Sequence, residues 1–180
     1  MKMSTLPFKL LLLFIVLLVS QSYASKSQGG YGMKQLRKTC KRTTKYNQCV
    51  KSLRTDSRSF TANECGLAKI ALEIALADAN KLYKLSISRR KKKGVDDATI
   101  RALESCTELY GGAIDGLQQA VQAMDSKDYK NAKVYAGQAI NAADTCNQEF
   151  KEFDLKIPFT KKNEAFGQLC SAALDLVSLL

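Results

Sequence analysis

Six cysteines are the residues of this sequence with the clearest capacity for chemistry. They stand at Cys40, Cys49, Cys65, Cys106, Cys146 and Cys170. Thiolates can act as nucleophiles or bind zinc, but an even number of cysteines in an oxidising compartment is typical of a disulfide framework. Six cysteines allow about 15 connectivities, and spacing alone does not choose among them. If all six are bridged, no thiolate remains for catalysis or for a metal.

Histidine is absent from the sequence. Its absence removes Ser-His and Cys-His nucleophile pairs, the commonest general base and the commonest metal ligand. Carboxylates remain, including the adjacent Asp96 and Asp97, but paired catalytic carboxylates need a cleft. These acids fall instead where helix caps and solvated faces are expected. The sequence therefore predicts no catalytic residue, no cofactor and no metal ligand, and the chain is not expected to be an enzyme.

The N-terminus predicts a signal peptide. A ten-residue apolar run, Leu10 to Val19, follows two lysines, and the small residue Ala24 marks a cleavage position. Such a run is too short to span a bilayer core, which needs about 20 residues. An N-terminal membrane anchor is the alternative. We expect residues 1–24 to be removed and residues 25–180 to form one domain, located outside the plasma membrane or in a vacuole, with no membrane span.

The expected mature chain is strongly basic, with 26 lysines and arginines against 17 acidic residues. This charge favours anionic partners, either an acidic protein surface or a polyanionic wall. Nucleic acid is not expected as a partner, because secretion argues against it and the sequence has no aromatic-and-basic recognition motif. The run Arg89 to Lys93 could bind acidic wall polysaccharide weakly, although a solvated loop is the simpler interpretation.

Four amphipathic segments predict an all-α, up-down-up-down four-helix bundle. Apolar residues recur at steps of three and four over about 61–88, from Asp96 or Asp97 to Met124, from Tyr129 to Phe150, and over about 160–180. Short connections between such segments favour antiparallel neighbours with coiled-coil-like packing. Residues 60–180 are expected to form the bundle, and residues 33–59 a short helical hairpin before it, whose turn Cys40 and Cys49 could clip.

The expected topology also places the other cysteines. Cys106 and Cys146 lie at similar distances before and after the turn between the second and third helices, so they reach nearly the same height and could form a bridge. Cys65 and Cys170 belong to the first and fourth helices, which are neighbours in a closed bundle. A second bridge is expected there, with two buried free thiols as the alternative. Three glycines of the second helix are expected to mark close packing against another helix: Gly111, Gly112 and Gly116.

Local motifs resemble the plant invertase/pectin methylesterase inhibitor family. The stretch CKRTTKYNQC, from Cys40 to Cys49, resembles the opening hairpin of that family, although two prolines of its pattern are Asn47 and Ser57 here. Two further stretches resemble the L-x-x-C-x-x-x-Y motif and the start of the following helix, namely LESCTELY (103–110) and SKDYKNA (126–132). Within the family, the stretches CVKSL and SKDY are most similar to pollen-allergen-type invertase inhibitors.

The resemblance implies a hairpin attached to a four-helix bundle, with bridges Cys40–Cys49 and Cys106–Cys146. It also implies stoichiometric, pH-sensitive inhibition of a secreted or vacuolar plant enzyme. Invertase inhibitors of the family carry a Pro-Lys-Phe turn that enters the substrate cleft of invertase. The matching stretch of this chain provides the predicted contact residues, without the proline: Lys127, Asp128, Tyr129 and Lys130.

Three functions are compatible with this sequence. Inhibition of a plant invertase (beta-fructofuranosidase) is the leading prediction, and inhibition of a pectin methylesterase is the alternative within the same class. A cationic defence or structural protein that binds walls or membranes is the alternative from another class. A salt titration distinguishes an enzyme inhibitor from a polyanion-binding protein. Simple polyanion binding should collapse at high ionic strength, whereas a shape-matched enzyme complex should survive in part.

Overall fold

The computed structural model describes residues 32–180, and the predicted signal peptide lies outside this range. Residues 32–40 are helical and are called α1. The elements that follow are α2 (Tyr46–Leu53), a short 3₁₀ helix (Ser57–Phe60), α3 (Glu64–Arg90), α4 (Asp97–Asp125), α5 (Tyr129–Gln138), α6 (Ile140–Glu152) and α7 (Thr160–Ser178). No strand occurs within residues 32–180. The predicted all-α class is confirmed.

A closed bundle is formed by α3, α4, the α5–α6 pair and α7. α3 packs against α4 and α7, α4 packs against α5 and α6, and α7 closes the bundle against α5 and α6. Each long helix buries an apolar face, and burial of a single leucine or phenylalanine contributes about 1.5–3 kcal/mol. Large side chains in this core include Leu67, Leu72, Leu103, Leu117, Phe150, Phe166, Leu169 and Leu176. The predicted bundle with a preceding hairpin is confirmed.

The third helix of the bundle is broken into α5 and α6, whereas the sequence predicted one continuous helix. The two meet at Ala139, which keeps right-handed dihedrals of φ −81° and ψ −18°. Its N–H donates to the Ala136 carbonyl oxygen three residues earlier, at 3.3 Å. One tightened turn of this kind interrupts the regular pattern of bonds four residues apart. The break therefore changes the helix locally and leaves the predicted buried seam in place, from Ala132 to Phe150.

One of the three α4 glycines marks a close helix contact. A Cβ on Gly116 would lie 3.0 Å from the Tyr135 carbonyl oxygen of α5, which real Cβ atoms rarely approach so closely. Gly112 has no neighbour within 4 Å of that position, and Gly111 has only the Tyr83 ring at 3.8 Å. The close-packing prediction is thus right for Gly116 and wrong for Gly112, whereas Gly111 faces α3 at an ordinary contact distance.

A buried polar network crosses the core between α4, α6 and α7. Tyr110 is fully buried and donates its hydroxyl hydrogen to Asn163 Oδ1 at 2.6 Å. Asn163 in turn donates through Nδ2 to the Ala143 carbonyl oxygen at 2.8 Å and to Asn147 Oδ1 at 3.0 Å. Burial raises the pKa of the Tyr110 hydroxyl, so this group stays neutral. The network satisfies polar groups that would be costly to bury alone.

Two disulfides tie the elements together. Cys40–Cys49 joins the end of α1 to α2 with a Cα–Cα distance of 5.7 Å. Cys106–Cys146 joins α4 to α6 with a Cα–Cα distance of 4.9 Å. Both predicted bridges are confirmed.

The expected bridge between Cys65 and Cys170 was wrong, because both are free thiols. α7 runs antiparallel to α3, and the charged α3 neighbour of Cys170 is Asp78. Asp78 stands 13 residues beyond Cys65, a rise of about 20 Å along the helix. A disulfide requires Cα atoms within about 7 Å. Burial, with a smaller effect of Asp78, raises the pKa of the Cys170 thiol.

The hairpin of α1 and α2 is attached where α3 begins and α7 ends. Arg42 pairs with Glu64 at 2.9 Å. The backbone N–H and the hydroxyl of Thr44 both donate to Asp175 Oδ2 at 2.7 Å. The α4–α5 turn lies at this same end of the bundle, since Tyr129 contacts Cys65 in the first turn of α3.

Candidate functional site

The predicted contact residues lie at the turn between α4 and α5. Backbone hydrogen bonds close this turn. The Asp128 N–H donates to the Ala123 carbonyl oxygen at 2.8 Å, and the Lys127 N–H donates to that of Met124 at 3.1 Å. These two bonds form the Schellman motif that ends many helices. Lys127 accordingly adopts a left-handed conformation with φ 58°. This position normally favours glycine, and the conformation costs a side-chain-bearing residue about 1–2 kcal/mol.

Asp128 serves as the N-cap of α5. Its Oδ1 accepts from the Asn131 N–H at 3.1 Å, and its Oδ2 accepts from Asn131 Nδ2 at 2.6 Å. A carboxylate at this place also interacts favourably with the positive end of the helix. The carboxylate is therefore engaged in ending one helix and starting the next.

Tyr129 leans toward the bundle from the first position of α5. Its ring is half-buried and packs against the core, and its hydroxyl lies 3.6 Å from Cys65 Sγ on α3. This hydrogen-bonding contact with Cys65 raises the pKa of the Tyr129 hydroxyl. The aromatic ring thus fastens the turn to α3.

Lys127 and Lys130 point into solvent beside this fixed turn. Both are exposed, and neither lies within 4.0 Å of a carboxylate in residues 32–180. The same side of α5 carries two residues that sequence reasoning missed, the exposed Lys133 and Val134, which is 56% exposed. The lysines at 130 and 133 could have indicated this surface, because residues three apart share a helix face, and Lys127 lies in the turn just before α5. We call Lys127, Lys130, Lys133 and Val134 the lysine ridge.

An ion-pair chain holds the base of this turn. Asp125, the last residue of α4, accepts a hydrogen bond from the Lys69 ammonium group of α3, and this bond raises the pKa of Lys69. Lys69 also lies 3.8 Å from Glu73, which pairs with Arg58 at 2.7 Å. Arg58 completes the chain with Asp56 at 2.6 Å. These pairs are all partly exposed to solvent, so each contributes little stability by itself, but together they link the turn to the hairpin.

Metal chemistry has no candidate site in the part of the chain that the structure covers. Residues 32–180 contain no group of three or more cysteines, aspartates or glutamates close enough to hold an ion. The lysine ridge itself offers positive charge and a small apolar surface beside a turn that backbone hydrogen bonds close.

The chain matches the family model described as plant invertase/pectin methylesterase inhibitor over residues 34–176. It is 35% identical over 149 residues to the Platanus acerifolia protein named "Putative invertase inhibitor", covering 79% of this chain and 83% of the relative. It is 33% identical over 144 residues to the pectinesterase inhibitor of Actinidia deliciosa, covering 78% of this chain and 76% of the relative.

Solved structures agree with these relatives. The crystal structure of mutant form A of a pectin methylesterase inhibitor from Arabidopsis is similar with a TM-score of 0.69 and 28% identity. This similarity covers 78% of the present chain and 93% of the solved one. The helical bundle, the two bridges and the match over residues 34–176 lead to one assignment. The chain belongs to the plant invertase/pectin methylesterase inhibitor family.

Proposed function

We propose that this protein is a secreted inhibitor that binds and blocks a plant invertase. The observation that carries the proposal is the lysine ridge, an exposed cationic surface on a turn that backbone bonds, a cap and the Tyr129 anchor hold in one conformation. The name of the Platanus acerifolia relative supports invertase as the target. Membership of an inhibitor family agrees with the expectation that the chain is not an enzyme.

The proposed contact follows from the chemistry of glycoside hydrolysis. Enzymes that cleave glycosidic bonds usually place two carboxyl groups on either side of the bond. Lys127 and Lys130 would pair with such acids, and Val134 would add apolar area at the edge of the contact. A preorganised turn loses little conformational entropy on binding. Asp128 and Tyr129 would act indirectly, as the cap and the anchor that hold the lysines in place.

Inhibition of a pectin methylesterase is the second candidate, and a different surface favours it. A shallow groove of about 460 Å³ runs between α4 and the α5–α6 pair, lined by Glu108, Gly112, Ala113, Gln138 and Asn141 among others. Gly112 leaves its floor open, since nothing lies within 4 Å of the Cβ position. The pectinesterase inhibitor of Actinidia deliciosa supports this target. In this case the helix faces, and not the turn, would make the contact.

The two targets can be separated with the mature chain, residues 25–180, produced with its disulfides formed. Residual activity of a plant acid invertase and of a plant pectin methylesterase is measured against rising inhibitor concentration from pH 4.5 to 7. The informative variant is Lys127→Gln/Lys130→Gln. Its matched control is Lys91→Gln/Lys92→Gln, which removes the same charge from the α3–α4 loop at the opposite end of the bundle. We expect saturable inhibition of invertase, at least about tenfold weaker for the ridge variant and unchanged for the control.

Other outcomes assign other functions. Inhibition of the esterase alone, insensitive to the ridge variant, would favour the groove and the pectin methylesterase target. Equal weakening of both variants would indicate a bulk charge effect instead of a contact. If neither enzyme responds and binding to walls or membranes disappears at high salt, the cationic defence or structural protein becomes the better assignment.

Secretion is part of the same proposal. We infer that residues 1–24 direct the chain out of the cell, to the apoplast or to the vacuole, and that residues 25–180 are the inhibitor domain. Within residues 32–180 no helix is both long and apolar enough to cross a membrane. Sequencing the N-terminus of the protein recovered from a plant secretory host tests this proposal. A first residue other than Ser25, or retention in membranes, would contradict it.

A further inference from the structure

Positive charge is divided very unevenly along the molecule. Residues 32–60 contain nine lysines and arginines and a single acid, Asp56. Residues 61–180 contain sixteen basic and sixteen acidic residues, so this part has no formal net charge. The whole net charge of residues 32–180 therefore belongs to the hairpin and the short 3₁₀ helix that follows it.

Most of these charges have no partner within residues 32–180. All nine basic side chains are exposed, and only Arg42 and Arg58 form ion pairs, with Glu64 and with Asp56 and Glu73. The other seven lie farther than 4.0 Å from any carboxylate of this region. They are Lys34, Arg37, Lys38, Lys41, Lys45, Lys51 and Arg54. We call these seven residues the hairpin cation face.

The fold holds this face in a fixed arrangement. Lys34, Arg37 and Lys38 occur at the spacing of one helix side, and Lys41 continues it because its N–H still donates to the Arg37 carbonyl oxygen at 3.0 Å. The opposite side of α1 is fully buried, with Leu36, Thr39 and Cys40 at 0% exposure. The Cys40–Cys49 bridge then fixes α1 to α2. The cations therefore form a preorganised array, and not a mobile tail.

We propose that the hairpin cation face binds an acidic polysaccharide, that is, a linear polymer carrying carboxylates. Seven unpaired cations spread over two helices and their adjoining turns suit an extended polyanion better than a compact anion. A lipid surface fits less well, because binding there also needs apolar side chains that enter the bilayer. The large hydrophobic side chains exposed in residues 32–180 are Val134, Phe153 and Leu180, none of which lies on the hairpin.

The hairpin cation face lies at the same end of the molecule as the lysine ridge. Ion pairs join the hairpin segment to the beginning of α3 and, through Lys69, to Asp125 beside the lysine ridge. The basic run Arg89 to Lys93 lies at the other end of α3, about 40 Å away along the helix, where Arg90 is already paired with Glu104 at 3.1 Å. A polymer on the hairpin would thus lie at the ridge end of the molecule. This inference extends the proposed inhibition but does not depend on it.

The test compares two triple variants that each remove three charges. Lys34→Gln/Lys38→Gln/Lys41→Gln changes the hairpin cation face, and Lys91→Gln/Lys92→Gln/Lys93→Gln changes the distant loop. The probe is fully de-esterified polygalacturonate, with fully methyl-esterified pectin as the uncharged polymer. Each exposed charge contributes roughly a factor of two to three at low salt. We expect the hairpin variant to bind about tenfold more weakly, and the loop variant to bind within about twofold of the parent chain, because salt screens charges beyond about 10 Å.

Several results would overturn the proposal. Equal losses of polygalacturonate affinity in the two variants would show that only net charge matters. An unchanged affinity of the hairpin variant would show that the hairpin cation face does not contact the polymer. Undiminished binding to methyl-esterified pectin would show that carboxylates are not recognised. Binding to vesicles of anionic phospholipid without binding to polygalacturonate would assign the face to membranes. Thermal melts show whether the variants are folded, and enzyme inhibition is measured separately, so the two proposals can fail independently.

Discussion

The hydrogen bond between Tyr110 and Asn163 offers the sharpest test of how this fold is stabilised. In the variant Tyr110→Phe the ring keeps its place, and its edge-on contact with Phe166, at a centroid distance of 6.0 Å, is preserved. The change removes the hydroxyl that donates to Asn163 Oδ1 at 2.6 Å. Because Asn163 is 0% exposed, its oxygen loses its donor in a place without bulk water. Such a loss costs about 1–3 kcal/mol.

We therefore expect Tyr110→Phe to lower the free energy of unfolding by about 2 kcal/mol, and Tm by about 4–8 °C for a domain of this size. The assay is guanidinium denaturation followed by circular dichroism, with both disulfides intact. The midpoint should fall while the m-value stays constant, since the surface exposed on unfolding does not change. The matched control is Tyr83→Phe on α3. Tyr83 is half-buried and its hydroxyl has no hydrogen bond to any residue in 32–180, so the change should stay within about 0.5 kcal/mol.

Two results would refute this reasoning. The first is a Tyr110→Phe midpoint equal to that of Tyr83→Phe. The second is an undiminished effect of Tyr110→Phe in an Asn163→Ala background, because a loss caused by the hydrogen bond must disappear when its acceptor is gone.

Two further predictions concern the α4 glycines and the acid response. Gly116→Ala should destabilise the protein by about 1–3 kcal/mol through overpacking against the Tyr135 carbonyl. Gly112→Ala should instead stabilise it by up to about 1 kcal/mol through helix propensity. Thermal melts in which both variants shift Tm in the same direction, or each in the direction opposite to that expected, would contradict the assigned contacts. The Arg58 guanidinium lowers the pKa of Asp56 from its ordinary value of 3.8, so the stabilising contribution of Asp56 is present above pH 3.8 and is lost as pH falls through the lowered pKa. Asp56→Asn should have a lower Tm than the parent chain at pH 6, and this difference in Tm should shrink in melts taken down to pH 2.5. A difference that stays constant across this range would count against the Asp56–Arg58 pairing.

The fold was predictable to the extent that each helix carries its own pattern. The buried seam from Ala132 to Phe150 can be read from one segment alone, and a short turn sets the register between α4 and the helices that follow it. That register is why Cys106 and Cys146 could be paired by counting residues outward from residues 126–128. Local periodicity and one turn were sufficient for these predictions.

Features that depend on distant segments were not predictable in this way. The register of α3 against α7 is set by the whole core and not by a turn, so the expected Cys65–Cys170 bridge was wrong. The break at Ala139 directly follows Tyr135 and Gln138, which lie against Gly116 of another helix. At the candidate site, Lys127 and Lys130 were named from the resemblance to the family, but the inward lean of Tyr129 depends on Cys65, which precedes it by 64 residues.

The two free thiols give the molecule a built-in reporter of its own opening. Cys65 is partly accessible in the folded protein, whereas Cys170 is 1% exposed and its pKa is raised by burial. An alkylating reagent near neutral pH should therefore modify Cys65 directly. It can reach Cys170 only when α7 separates from its neighbours, since the reactive species is an accessible thiolate. The labelling rate of Cys170 would then measure how often the bundle opens under native conditions, without any probe being engineered into it.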